Sequence, residues 1–214
     1  MIKNCFVFFI LFLLCFSLKI AAQDKELPVR FSNGNFISGN NISRQSFKSE
    51  NLQTSLSAES YFVVLQFSTL PDEQIKVQLK NAGILLNEYI PDNAYLATIK
   101  NTFDFSSAKN FGISSINNIP AFYKIDPALF SYQQQSNKQD DAMFAVSYFA
   151  SENKEDVVLK LRQLGLVIVN TKFSFLNTIL IQPNADKLNE IAALPFISFI
   201  RKQIIADKIV NYND

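Results

Sequence analysis

The chain contains no histidine, and its 214 residues include only five glycines and two cysteines. Without an imidazole, Ser-His-Asp and Cys-His catalysis are excluded within the chain, as are most zinc sites. Glycine normally makes up about 7% of a protein, so five residues leave little room for a phosphate-cradling loop. Charge of one sign is lacking too: 20 Lys and Arg face 19 Asp and Glu, which gives no basic excess for neutralising nucleic-acid phosphates. What is present is apolar. At 48% hydrophobic and 18% charged, the composition is not that of a disordered chain. It suffices for a packed core in each of one or two domains. It reads as a binding or structural module before it reads as an enzyme.

One long hydrophobic run exists, at the start. Lys3 precedes Cys5 to Leu18, broken only by Ser17; Lys19 and then Ile20-Ala21-Ala22-Gln23 follow. A basic start, an apolar stretch of about 7–15 residues and small residues at the exit describe a secretory signal peptide, whereas a membrane span needs about 20 apolar residues. Residues 1–22 are therefore expected to be a signal peptide, cleaved after Ala22 or Gln23, with no stable membrane span. The mature protein is then expected to be secreted or periplasmic. Cys5 and Cys15 both lie in the leader, so the mature chain is expected to hold no disulfide. It would carry 18 basic against 19 acidic groups, which points to no polyanionic partner.

Self-comparison reveals a repeat at an offset of about 82 residues. Tyr61 to Phe67 aligns with Met143 to Phe149, and Leu79 to Ile84 with Leu161 to Leu166; after a drift of two, Asn93 to Leu96 faces Asn177 to Leu180, and Lys124-Ile125 faces Lys208-Ile209. Each copy predicts strand, helix, strand, strand, helix, strand. First strands are runs of aromatic and β-branched residues. The first helix of copy one opens after Pro71 and carries Ile75, Leu79 and Ala82 on one face; copy two has Val157, Val158, Leu161 and Leu164 at helical spacing. Gly83 and Gly165, and Gly112 after the second helix, read as helix ends. In copy one the later elements fall at 84–90, 94–99, 103–110 and 113–118. In copy two they fall at 166–170, 176–182, 185–194 and 196–201, with Asn184 a candidate cap.

This βαββαβ order is the split βαβ arrangement, so the expected fold class is α+β: two tandem ferredoxin-like domains, each an antiparallel sheet with helices on one face. The expected boundaries are an N-terminal extension at 23–59, a first repeat at 60–130, a polar linker at 131–141 and a second repeat with its tail at 142–214. Within the extension, Asn33-Gly34 between two short apolar runs suggests a hairpin.

Tyr61 to Ile99 combines a short strand, a Pro-opened helix ending in Ala82-Gly83, and a hairpin Tyr89-Ile90-Pro91-Asp92-Asn93-Ala94-Tyr95. It resembles the N-terminal propeptide region of secreted bacterial subtilisin-like serine peptidases (subtilases), and the resemblance covers about residues 27–214. It implies ferredoxin-like domains that act as an intramolecular chaperone and then as an inhibitor. The sheet would dock on the catalytic domain and the C-terminal tail would lie in the substrate cleft. The partner implied is a subtilisin-like serine protease domain, in cis or in trans. The chain departs from that family in having no Asp-Ser/Thr-Gly, His-Gly-Thr-His or Gly-Thr-Ser-Met-Ala segment. No catalytic residue, cofactor or metal site is expected in it. A fragment of a longer precursor, a truncated gene and a stand-alone inhibitor all fit. A secreted binding or scaffold protein that reuses the fold without any protease is the alternative, and carboxylate-only chemistry from Glu88, Asp92 or Glu152 a third reading.

The tail Lys202 to Asp214 holds Ile204, Ile205, Ile209 and Val210, the candidate protease-contacting residues. Either it is an extended strand that pairs by its main chain in a protease cleft, or it packs on its own domain. Asp140 and Asp141, with Glu155 and Asp156, lack the spacing of a Ca²⁺ loop and read as solvated. Phe62, Phe67, Tyr148 and Phe149 read as core rather than as base-stacking platforms. Phe173, Phe175, Phe196 and Phe199 read mostly as core, some as part of a sheet face left open by a two-layer fold.

Overall fold

Tyr61 to Phe67 forms seven consecutive buried residues. Side chains of a strand alternate between faces, so a strand buried at every position is covered on both. The computed structural model describes residues 28–39, 41, 42, 47, 49–134, 142–182 and 184–204, and shows what covers each face. The leader with Cys5 and Cys15, and Asp140 and Asp141, lie outside the described residues.

The fold is α+β, built from antiparallel sheets and several helices. A hairpin of β1 (Pro28–Phe31) and β2 (Gly34–Ile37) comes first, turning at Ser32-Asn33. The first sheet contains β3 (Leu56–Ser57), β4 (Ser60–Phe67), β5 (Ile84–Ile90), β6 (Ala94–Lys100) and β7 (Ile113–Asn118). In it β4 pairs with β6 and β7, and β5 with β6. The second sheet contains β8 (Ala142–Tyr148), β9 (Ile168–Asn170), β10 (Thr178–Ile181) and β11 (Ile197–Ile204), in the order β11-β8-β10-β9.

Helix α1 (Glu73–Asn81) begins where expected, because Asp72 accepts a hydrogen bond from the Ile75 amide and so satisfies a donor the first turn leaves free. It ends at Gly83, whose φ of +92° suits glycine and whose missing Cβ would lie 3.3 Å from Lys100 Cβ. Between β6 and β7 the segment Phe105–Phe111 is a 3₁₀ helix rather than an α-helix. In it Asp104 caps through the Ser106 amide, and Gly112 closes the helix almost at once. Leu79 and Ala108 pack with Tyr61, Val63 and Leu65, the β4 residues that register places opposite Ile99, Ala97 and Tyr95. That is the helix-covered face.

The other face of β4 carries Phe62 and Val64, opposite Thr98 and Leu96. The second unit covers Phe62 and Val64, while Gln66 on the same face accepts from Ser38 Oγ of the N-terminal extension and donates to Asp92 O at 3.0 Å. Phe62 meets Phe149 edge-on with ring centroids 5.1 Å apart. Thr98 Oγ1 lies 2.8 Å from Ser151 Oγ, and Lys160 Nζ donates to Ser57 Oγ at 3.0 Å while sitting 4.4 Å above the Phe196 ring. In the first unit, then, the sheet face that a two-layer fold would leave open is covered.

In the second unit, Asn153 caps α3 (Lys154–Gln163), and Asn184 accepts from the Lys187 amide before α4 (Leu188–Ala193); α2 is Pro127–Gln134. Phe144, Val146 and Tyr148 of β8 share a buried cluster with Val157 and Leu161 of α3 and Leu188 and Ile191 of α4. The repeat offset of 82 therefore holds for the first helices, with Leu79 matching Leu161, but not for the first strands. Phe62 turns away from its helix while Phe144 turns towards its own. A slip of one residue exchanges the faces of a strand.

Residues 119–134 follow β7 but pack on the second unit. Ile125 forms a parallel bridge with Ile200 of β11, the Asp126 amide donates to Ile200 O at 2.8 Å, and Ile119, Ile125 and Leu129 are buried in the shared cluster. Ser131 to Gln134 continue α2, and 135–141, the rest of the expected linker, lie outside the described residues.

Candidate binding surfaces

The β1–β2 hairpin is drawn against the 119–125 segment by side chains. Asn33 Nδ2 donates to the carbonyls of Phe122 and Ile125, and the Tyr123 hydroxyl donates to Asn35 O at 3.0 Å. Phe31, Phe36 and Tyr123 pack ring against ring, with centroids 5.1–6.4 Å apart. The hairpin, the end of β5 and the start of β11 thereby enclose a half-open cavity of about 250 Å³ where the two units meet. A second cavity of about 180 Å³ shares Glu88, Leu96 and Ser198 with it.

Glu88 is exposed and lines both cavities. Asp92 lies on the β5–β6 turn, 2.8 Å from Arg30 Nε. There Asp92 and Asn93 adopt positive φ of 70° and 59°, the left-handed pair that a tight hairpin needs and that Asp and Asn tolerate. Glu152 lines neither cavity. Burial pushes its carboxyl up from the ordinary value, while Lys160 pulls it down and Asp156 adds to the rise. The structure therefore does not assemble these three carboxylates. Glu155 and Asp156 occupy the first turn of α3, where negative charge suits the helix dipole. Among the described residues no three metal-ligating side chains cluster, and no helix is long and apolar enough to cross a membrane.

Of the tail candidates, Ile204 ends β11, its backbone opposite Ala142; Ile205, Ile209 and Val210 lie outside the described residues. The final strand runs three residues past the expected end at Arg201, with Lys202 and Gln203 opposite Phe144 and Met143.

Two of the four second-copy phenylalanines leave the core. Phe196 is buried, but Phe173 is 41% and Phe175 77% exposed, beside Leu176 at 60%. They lie in the β9–β10 connection, where a 3₁₀ turn (Ser174–Leu176) and Asn177 at φ +51° replace an early start of the strand. Val169 on the edge strand β9 and Val167 just before it are exposed too.

Lys124 escaped the sequence reading as a site. It is 3% exposed, and its Nζ donates to Leu194 O at 3.0 Å and Pro195 O at 3.3 Å, just past the end of α4. Burial pushes its amine down to about 7. Its setting between Tyr123 and Ile125 in an apolar stretch was the only available signal.

Residues 30–120 match a family model described as a domain of unknown function (DUF8729). The match takes in most of the β1–β2 hairpin and the whole first sheet, and stops before Lys124 and the second unit. No curated protein and no solved structure matches the chain.

Proposed function

We propose that the chain is a secreted, non-catalytic tandem propeptide-like module that assists the folding of, and inhibits, a subtilisin-like serine protease, in cis or in trans. The observation that carries this reading is the strand order. In both units the first strand is flanked by the third and fourth, and the second pairs with the third. With helical segments packed on one face, this supports two ferredoxin-like βαββαβ domains, the architecture of the propeptides the sequence resembles. The first sheet spends its outer face on the second unit. Docking on a protease then falls to the second unit and the tail that follows β11. Lack of any histidine supports the absence of catalysis.

The test compares residues 24–214 with residues 24–204 as inhibitors of a purified bacterial subtilisin-like protease cleaving a chromogenic peptide. The cut follows Ile204 because Lys202 to Ile204 are paired in β11. Loss of at least tenfold in inhibition, with unchanged circular dichroism, is expected. Equal inhibition would remove the tail from the mechanism, and no inhibition by either chain would overturn the protease reading. The second reading, a secreted protein-binding or scaffold protein unrelated to any protease, is favoured by the exposed Phe173, Phe175 and Leu176 group, since contiguous exposed apolar surface marks interaction sites.

A further inference from the structure

Two cavities lie where the units meet. The larger is flanked by Phe31, Tyr89, Tyr123 and Phe199. Two charged residues line it, Arg30 and Glu88. Arg30 is already neutralised by Asp92 at 2.8 Å, whereas no described residue forms a hydrogen bond or ion pair with the Glu88 carboxylate. The smaller cavity shares Glu88 and adds Asn87. Asn87 Nδ2 donates to Leu85 O at 3.2 Å and Thr98 Oγ1 at 3.1 Å. The carbonyl acceptor fixes which end of the amide is nitrogen, and the remaining Oδ1 is buried without a donor. The larger cavity therefore sets an exposed carboxylate with no protein partner beside aromatic rings, and the smaller adds a residue whose amide oxygen is buried without a donor.

We propose that this cleft binds a basic side chain, a guanidinium presented by a partner polypeptide. A guanidinium brings five N–H donors and a flat face, and cations are drawn to aromatic faces by the ring quadrupole. Glu88 supplies the ion pair, and Tyr89 and Tyr123 flank the cation. Size argues for a side chain over a whole small molecule. Pockets for drug-sized ligands run about 300–1,000 Å³, and these cavities hold about 250 and 180 Å³. The site is lined by residues of the first unit and its junction, none of them from 202 onward, and the proposal is independent of the protease reading.

The experiment titrates isotope-labelled residues 24–214 with N-acetyl-arginine methylamide, and in parallel with the isosteric citrulline compound, followed by amide chemical shifts. Shifts are expected at residues 30–32, 87–91 and 198–199, with citrulline binding about fivefold more weakly. Glu88→Gln should weaken the arginine probe about fivefold and leave circular dichroism unchanged; the site is half-open, so larger effects are not expected. Tyr89→Leu, at a half-exposed ring, provides a second variant and should weaken it two- to threefold. Equal binding of citrulline, an unaffected Glu88→Gln variant, shifts confined to other residues, or no binding up to 50 mM (roughly the weakest affinity worth calling a site) would each overturn the proposal.

Discussion

A lysine amine held by two neutral carbonyls makes the stability of this protein depend on pH in an uncommon direction. In the unfolded chain Lys124 takes up its proton below its ordinary value of 10.5, and in the folded chain only below about 7. Between those values unfolding binds a proton, so acid favours the unfolded chain and stability rises with pH across the window. At about 1.4 kcal/mol per pH unit, the ceiling over the whole window is about 5 kcal/mol. From pH 7.5 to 9.5 the gain should be about 2.5 kcal/mol. Above pH 9.5 a second group opposes the gain: burial raises Tyr148, whose ionisation favours the unfolded chain at higher pH. The assay is urea unfolding at pH 7.5, 8.5 and 9.5 at one ionic strength, on the wild type and on Lys124→Met. The variant leaves the carbonyls of Leu194 and Pro195 without their donor, a loss of about 1–3 kcal/mol. It also removes the cost of burying an amine, so its absolute stability decides nothing; its slope does. The wild type should gain with pH and the variant should lose that gain. A flat wild type, or equal slopes in both, would refute the argument.

Two further expectations concern packing and backbone. Phe62→Ala removes a ring from both the first sheet and the contact with Phe149; urea unfolding should show a loss of about 3–5 kcal/mol, and a loss under about 1 kcal/mol would mean the units do not depend on each other there. Gly83→Ala forces a side chain into φ +92° beside Lys100 and should cost about 1–2 kcal/mol, measured the same way; a neutral result would show that the end of α1 relaxes freely.

Local chemistry made much of this architecture readable. Pro71 and Asp72 mark the start of α1, Gly83 its end, and Pro91-Asp92-Asn93 the turn between β5 and β6. Those signals act over four or five residues and need no knowledge of the rest of the chain. What escaped depends on distant partners. Whether Phe62 or Tyr61 faces a helix is set by a sheet that begins 80 residues later, and the offset of 82 pairs Phe62 with Phe144, which is not its structural equivalent. Phe105 to Phe111 has an apolar pattern that an α-helix and a 3₁₀ helix share, and only the short span between Asp104 and Gly112 separates them. Phe173 and Phe175 look like core because aromatic residues usually are; their exposure follows from Asn177 delaying the strand. Of the candidate sites, Glu88 was named from sequence, but its place between two units was not legible, since Arg30, Tyr123 and Ser198 approach it from three separate segments. The seven buried positions of β4 did carry a message, because an outer strand face open to water would have shown polar residues at every second place.

That doubly covered strand has a consequence for how the protein can change over generations. A strand with one wet face offers selection a row of positions where drift is nearly free, and homologues diverge there first. Tyr61 to Phe67 offers none. A change on one side disturbs the helices of its own unit, and a change on the other disturbs the neighbouring unit. The two copies of the repeat are therefore tied, each substitution at their contact restricting what the other copy can accept.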